Sequence, residues 1–106
     1  MKDFLRGAVR LHILHHAARD EIHGAWMSTE LAEHGYAISP GTLYPTLHRM
    51  EEGGLLASRG VVVAGRRRRV YRTTAAGDSA LAAMRAALSE LADEVLGVRA
   101  ARRAPH

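Results

Sequence analysis

Between Ser39 and Leu56 the polar and apolar positions follow a helical period with well-marked ends. Leu43, Leu47 and Met50 recur at i, i+4 and i+7 and so share one buried face. Ser39 is suited to cap free backbone N–H groups and Pro40 to the first helical position. Gly53-Gly54 closes the segment, because glycine leaves a helix most easily in left-handed geometry. Opposite the apolar stripe stand Gly41, Pro45, His48, Arg49 and Glu52, with Thr42 and Tyr44 on the flanks. Pro45 removes the helical bond to the Gly41 carbonyl, a poor choice for stability alone, which suggests that the position serves contact or shape. A slim, hydroxyl-bearing first turn with a cation behind it fits a helix that enters a nucleic-acid groove N-terminus first. The blander alternative is an ordinary amphipathic helix.

The chain before it predicts two helices. From Asp3 to Ala18, Phe4, Leu5, Ala8, Val9, Leu11, Ile13, Leu14 and Ala17 cover too wide an arc for a simple surface helix. Such a helix is sandwiched, here between its own domain and a partner. Arg19-Asp20-Glu21 interrupts the pattern and Gly24 marks a break. A second helix follows from Gly24 to His34, with Met27 and Leu31 at i, i+4, Trp26 beside them and Gly35 as its C-cap. The short link to Ser39 makes this helix and the next, Pro40 to Glu52, a helix-turn-helix; a plain αα-hairpin is the alternative.

After Gly54 the period becomes extended. Leu55 to Ser58 leads into Val61-Val62-Val63, Ala64-Gly65 can turn, and Val70 to Thr73 returns, which predicts a β-hairpin. Arg66 to Arg69 fall on the tip and the second strand, with Arg67, Arg69 and Tyr71 on one face and Arg68, Val70 and Arg72 on the other. The last helix starts at Thr74, an N-cap, with Asp78 in its first turn. Leu81, Met84, Leu88, Leu91, Val95 and Val98 are spaced 3, 4, 3, 4, 3, a heptad seam flanked by alanines. Its length, about 36 Å, exceeds what a core this small can cover, so it predicts a dimerisation helix. The alternative is a helix folded back on its own domain.

Charge sharpens this picture. The 106-residue chain carries a net +4, yet from Gly53 to Gly77 there are six arginines and no Asp or Glu. A basic hairpin beside a slightly acidic body favours a polyanion partner. The absence of cysteine excludes disulfides and thiolate metal sites. The longest wholly apolar run, Ala80 to Met84, is far short of a membrane span, and the N-terminal residues lack a signal-peptide core, so a cytoplasmic protein is expected. No carboxylate pair accompanies a plausible nucleophile, and no enzyme is expected. Five of the seven histidines, His12, His15, His16, His23 and His34, lie in the first third. His12 and His16 share a helix face, and with Glu21, His23 or a dimer mate they raise the alternative of a metal-responsive regulator. Interface histidines without metal are the weightier reading, so no metal site is assigned.

The run Ser39-Pro40-Gly41-Thr42-Leu43-Tyr44-Pro45, followed by Leu47-His48-Arg49-Met50-Glu51 and Gly54-Leu55-Leu56, resembles the recognition helix of PadR-family winged helix-turn-helix regulators. Tyr71 to Gly77 resembles the family's Y-x-L-T-x-x-G, with Thr73 in place of leucine, a change expected to weaken wing packing slightly. The resemblance is to the compact branch with a short C-terminal helix. It implies a homodimeric repressor on a palindromic operator, released by a small ligand. The DNA-contacting set it implies, joined to the basic hairpin, is Ser39, Gly41, Thr42, Tyr44, Pro45, His48, Arg49, Arg66, Arg67, Arg68 and Arg69, with Leu43, Leu47 and Tyr71 as core. Dimerisation would use Phe4, Leu5, Leu81, Met84, Leu88, Leu91 and Val95. No cofactor is required; a small hydrophobic effector or a divalent metal are the candidates, the effector in a dimer-interface pocket near Phe4, Trp26 and Met84.

The expected fold is therefore mainly α with a small α+β wing. A winged helix-turn-helix DNA-binding domain covers 1–74, a C-terminal dimerisation helix 75–98, and a disordered basic tail 99–106. A winged-helix protein-interaction module is the remaining alternative.

Overall fold

The computed structural model describes residues 1–97. The elements are α1 (Lys2–Arg19), β1 (Ile22–His23), α2 (Gly24–Glu33), α3 (Pro40–Glu52), β2 (Leu56–Val63), β3 (Arg66–Thr73) and α4 (Ala75–Leu96). The three strands form an antiparallel sheet in the order β1-β3-β2. Val98 and the expected tail over 99–106 lie outside the described residues.

The apolar stripes meet in one core. Ile13 and Leu14 of α1, Met27 and Leu31 of α2, Leu43, Leu47 and Met50 of α3, and Leu56 of β2 are all essentially inaccessible. Tyr71 closes the core from the sheet. β1 is a strand that periodicity does not reveal: it has two residues, Ile22 opposite Tyr71 and His23 opposite Val70, and it makes β3 the central strand.

Both helices of the helix-turn-helix end in the same way. Gly35 and Gly54 adopt φ of 89° and 81°, which lets the next residue's N–H turn back into the helix: Tyr36 donates to Leu31 O at 2.8 Å and Leu55 to Met50 O at 2.9 Å. Gly53 itself stays right-handed at φ −76°, so only the second glycine of the expected pair takes the left-handed position.

The start of α4 is welded to the base of the hairpin. Thr74 caps it, its Oγ1 accepting from Gly77 N at 3.0 Å, while its own N–H donates to Leu55 O at 3.1 Å. Thr73 is buried and donates its hydroxyl to Asp78 Oδ1 at 2.6 Å, so the residue standing where leucine was expected adds a polar tie to the helix. Leu81, expected on the dimer seam, is instead buried in the core of its own chain, with Met84 packed partly against it. Beyond that turn the seam is bare: Leu88, Leu91 and Val95 are half or more exposed. Phe4 is likewise two-thirds exposed on α1.

Candidate nucleic-acid interface

At the head of α3 the Ser39 side chain makes no capping bond; its carbonyl accepts from Thr42 and Leu43 N–H at 3.0 and 2.9 Å. The expected side-chain cap is thus absent, and the serine hydroxyl donates instead to Thr42 Oγ1 at 3.4 Å. An uncapped N-terminus keeps its positive dipole end available to an anion. Pro45 lies inside the helix, and Thr46 next to it donates its hydroxyl to Thr42 O at 2.8 Å, adding a local tie where proline removes one.

Gly41, Thr42, Tyr44, Pro45, His48, Arg49 and Glu52 are exposed, while Leu43, Thr46, Leu47 and Met50 are buried. Tyr44 is 46% exposed, and the outer end of its ring packs against Gly24, where a Cβ would collide with it. Gly24 is therefore a seat for Tyr44, a role that its reading as a helix break did not contain. His48 Nε2 sits 3.3 Å from Glu52 Oε1, one turn further along the same exposed face. Arg49 turns to the flank and donates to Thr46 Oγ1 at 3.4 Å.

The hairpin turns through Ala64 and Gly65, both with positive φ (52° and 76°), the two-residue turn whose twist matches that of its strands. Arg66 to Arg69 are all exposed on β3, opposite Val63, Val62, Val61 and Gly60. They are not equivalent. Arg69 Nη1 donates to Ser58 Oγ at 3.0 Å, and Ser58 donates to Glu51 Oε2 of α3 at 2.6 Å. This chain ties the wing to the recognition helix. Arg66, Arg67 and Arg68 have no carboxylate partner among the described residues. Arg67 and Arg68 line an open groove of about 530 Å³ along β2. Arg59 is spent elsewhere: Nε and Nη2 fork onto Glu21 at 2.7 and 2.6 Å. That hydrogen bond holds the Glu21 carboxyl below its ordinary range.

His12, His15, His16 and His34 gather where α1 meets the end of α2. His12 and His16 stack at 6.3 Å, His34 meets His12 at 5.1 Å, and Glu30 Oε1 lies 3.5 Å from His16 Nε2 and 3.1 Å from His34 Nε2. Among the described residues no three His, Asp or Glu side chains converge where a metal ion could be held. Burial, followed by the neighbouring His34 and His15, lowers the pKa of His12; burial and then His15 lower that of His16. Both are more easily protonated in the unfolded chain, so stability is full above the ordinary value of 6.5 and declines as pH falls through it. Thermal melts at pH 7.5 and 5.0 should show this loss, and a His12→Gln, His16→Gln double variant should lose less. Equal losses in both proteins would remove the two histidines as its source.

The effector pocket divides. A groove of about 380 Å³ between α1 and α4 is lined by Phe4, Ala8, Leu11, His12, His15, Tyr36, Arg85 and Leu88. Trp26 is not part of it; its ring meets His16 edge-on at 5.2 Å. Met84 faces the core rather than this groove.

Comparison with known proteins agrees with the geometry. Residues 13–83 match the model of the family described as "Transcriptional regulator PadR-like family". The chain is 66% identical over 97 residues to the transcriptional regulator Rv3488 of Mycobacterium tuberculosis, covering 92% of this chain and 91% of that one. A PadR family transcriptional regulator from Eggerthella lenta superposes with a TM-score of 0.72 at 31% identity, over 99% of this chain and 91% of that one. Bacillus subtilis PadR, crystallised in complex with operator DNA, shares the fold at a TM-score of 0.66 and 17% identity, over 73% of this chain and 46% of that one. Among the described residues no helix is long and apolar enough to cross a membrane.

Proposed function

The chain belongs to the PadR-like family of transcriptional regulators, and from that premise we propose that it binds duplex DNA as a homodimer and represses from a palindromic operator. The observation that carries this reading is a slim recognition helix without a side-chain cap, tied by the Glu51–Ser58–Arg69 chain to a wing whose Arg66, Arg67 and Arg68 have no carboxylate partner among the described residues. The first turn of α3, with Ser39, Gly41, Thr42 and the Tyr44 hydroxyl, meets base edges and the nearest phosphates. The wing arginines fork onto the backbone beside it. The relative crystallised with operator DNA supports the same use of the fold.

Pairing through α1 and α4 accounts for the bare stripe of Phe4, Leu88, Leu91 and Val95, left exposed among the described residues. Sedimentation should give a dimer at micromolar concentration, and Leu91→Asp a monomer. A dimeric Leu91→Asp protein would move the interface elsewhere. Release by a small hydrophobic effector is supported by the groove between α1 and α4, which the second copy would roof.

Selection from a random duplex pool tests the whole reading, since a dimer should recover an inverted repeat with half-sites about 34–36 Å apart or a multiple. On that site Arg68→Ala is expected to weaken binding to specific and random duplex alike. Thr42→Ala should instead change which sequence is preferred, with a cost of about 1–3 kcal/mol at the base it reads. Parallel losses on both duplexes for both variants would cancel this division of labour.

A further inference from the structure

α4 is held in the core by Leu81 and Met84, and the next residue, Arg85, reaches across to α1. Its Nη2 lies 2.8 Å from His15 Nδ1. Arginine has donors and no acceptor, so the guanidinium donates and the imidazole nitrogen accepts. That bond requires a neutral His15 with its proton on Nε2. It fastens α4 to α1 just where the bare stripe of Leu88, Leu91 and Val95 begins. His15 and Arg85 also line the groove between these helices, with Phe4, Leu11, His12 and Leu88. The surroundings offer a further positive charge little compensation. On α1, His12 stands one turn before His15 and Arg19 one turn after it, while His16 meets its ring edge-on at 4.9 Å. From α2 comes Glu30, already shared by His16 at 3.5 Å and by His34 at 3.1 Å. From the link comes Tyr36, ring to ring with His12 at 5.2 Å.

We propose that the His15–Arg85 contact is a proton-sensitive latch: a proton on His15 unfastens α4 from α1 and weakens the pairing of two copies. Histidine is the side chain whose ordinary titration falls between pH 5 and 8. A proton on Nδ1 turns the acceptor into a second donor, set against a guanidinium at hydrogen-bond distance. Attraction becomes repulsion between two cations, and Glu30 is engaged elsewhere. The groove that holds the latch is the one a second copy would roof, so pairing would bury that charge beside another of its own sign. Burial already favours the neutral forms of His12 and His16, which keeps the neighbourhood uncharged while His15 is neutral. The paired state therefore binds fewer protons than the separated chains, and falling pH favours separation. The effect on pairing rests on the homodimer reading above; the latch does not.

Sedimentation of the parent, His15→Gln and Arg85→Gln at pH 7.5 and 5.5 tests this, at a temperature where circular dichroism shows all three folded. Each proton taken up on separation raises the dimer dissociation constant about tenfold per pH unit. With one latch in each copy, the parent's constant is expected to rise about tenfold or more at pH 5.5. His15→Gln keeps an amide oxygen for Arg85 and takes no proton, so its dimer should hold equally at both pH values. Arg85→Gln removes the second cation and can turn its amide to accept from a protonated imidazole, so most of the pH dependence should go. A parent dimer equally tight at both pH values, or a His15→Gln dimer that weakens as the parent does, overturns the effect on pairing. A parent that is monomeric at pH 7.5 overturns the homodimer reading instead. The latch is then read in the single chain from the imidazole nitrogen NMR spectrum, with the His15 signals assigned by their loss in His15→Gln. A proton on Nε2 at pH 7.5 supports it, and one on Nδ1 overturns it.

Discussion

Removing Arg66, Arg67 and Arg68 together should flatten the salt dependence of DNA binding more than any other change on the surface. Each guanidinium that neutralises a phosphate releases condensed counterions, and the slope of log K against log salt changes by about 0.9 per contact. Three arginines on each of two wings correspond to a loss of about 5 in that slope, and to affinity reduced by about a thousandfold or more at physiological salt. The loss should be the same on selected and random duplex, because phosphates carry no sequence information. The neighbouring arginines should behave differently. Arg59 is neutralised by Glu21, so Arg59→Ala should leave the slope nearly unchanged. Arg69 is engaged by Ser58, so Arg69→Ala should act mainly by loosening the wing against α3, and Glu51→Gln should reproduce part of its effect. A triple variant that keeps the parent's slope would take the wing out of the interface.

This contrast also shows where sequence reading succeeds and where it stops. Glycine and proline punctuation with i, i+4, i+7 spacing locates α3 to the residue, because capping and burial are local demands. The hairpin is legible for the same reason, since Ala64-Gly65 supplies a turn between the Val61 to Val63 run and a strand that ends in Val70 to Thr73. Four consecutive arginines look alike on paper, however. What distinguishes Arg69 is a register, Ser58 across from Tyr71, that brings a hydroxyl between it and a helix carboxylate. The two-residue β1 is too short to show any period. Leu81 fits the heptad perfectly yet belongs to the monomer core, because spacing reports that a face is covered and not by whom. Ser39 sits where a cap belongs, but its hydroxyl is not used as one. The histidine cluster pairs α1 with Glu30 of α2 and with His34 just beyond it, a meeting that depends on helix packing and not on the His12, His16 spacing.

Gly77→Ala should lower the melting temperature by more than 10 °C, although alanine is the better helix former. Gly77 lies in the first turn of α4, directly over the Leu55 carbonyl, and a Cβ there would overlap that oxygen and press on Leu55 C and Thr73 Cβ. The obstacle is backbone, so no side chain can rotate away. α4 would have to lift from the hairpin base, which weakens the bond from Thr74 N to Leu55 O and the Thr73 hydroxyl's bond to Asp78. Forced overpacking costs about 1–3 kcal/mol and each weakened hydrogen bond about 1 kcal/mol, against about 1 kcal/mol returned by helix propensity. A net loss of about 3 kcal/mol shifts the midpoint of a domain this size by roughly 12–24 °C. Gly60→Ala, on β2 with no atom within 4 Å of the added methyl, is the matched control and should change little. Melts must be run at one protein concentration, since dimerisation would itself raise the midpoint. If Gly77→Ala melts with the parent, the close seat of α4 on Leu55 is not what holds the long helix against the wing.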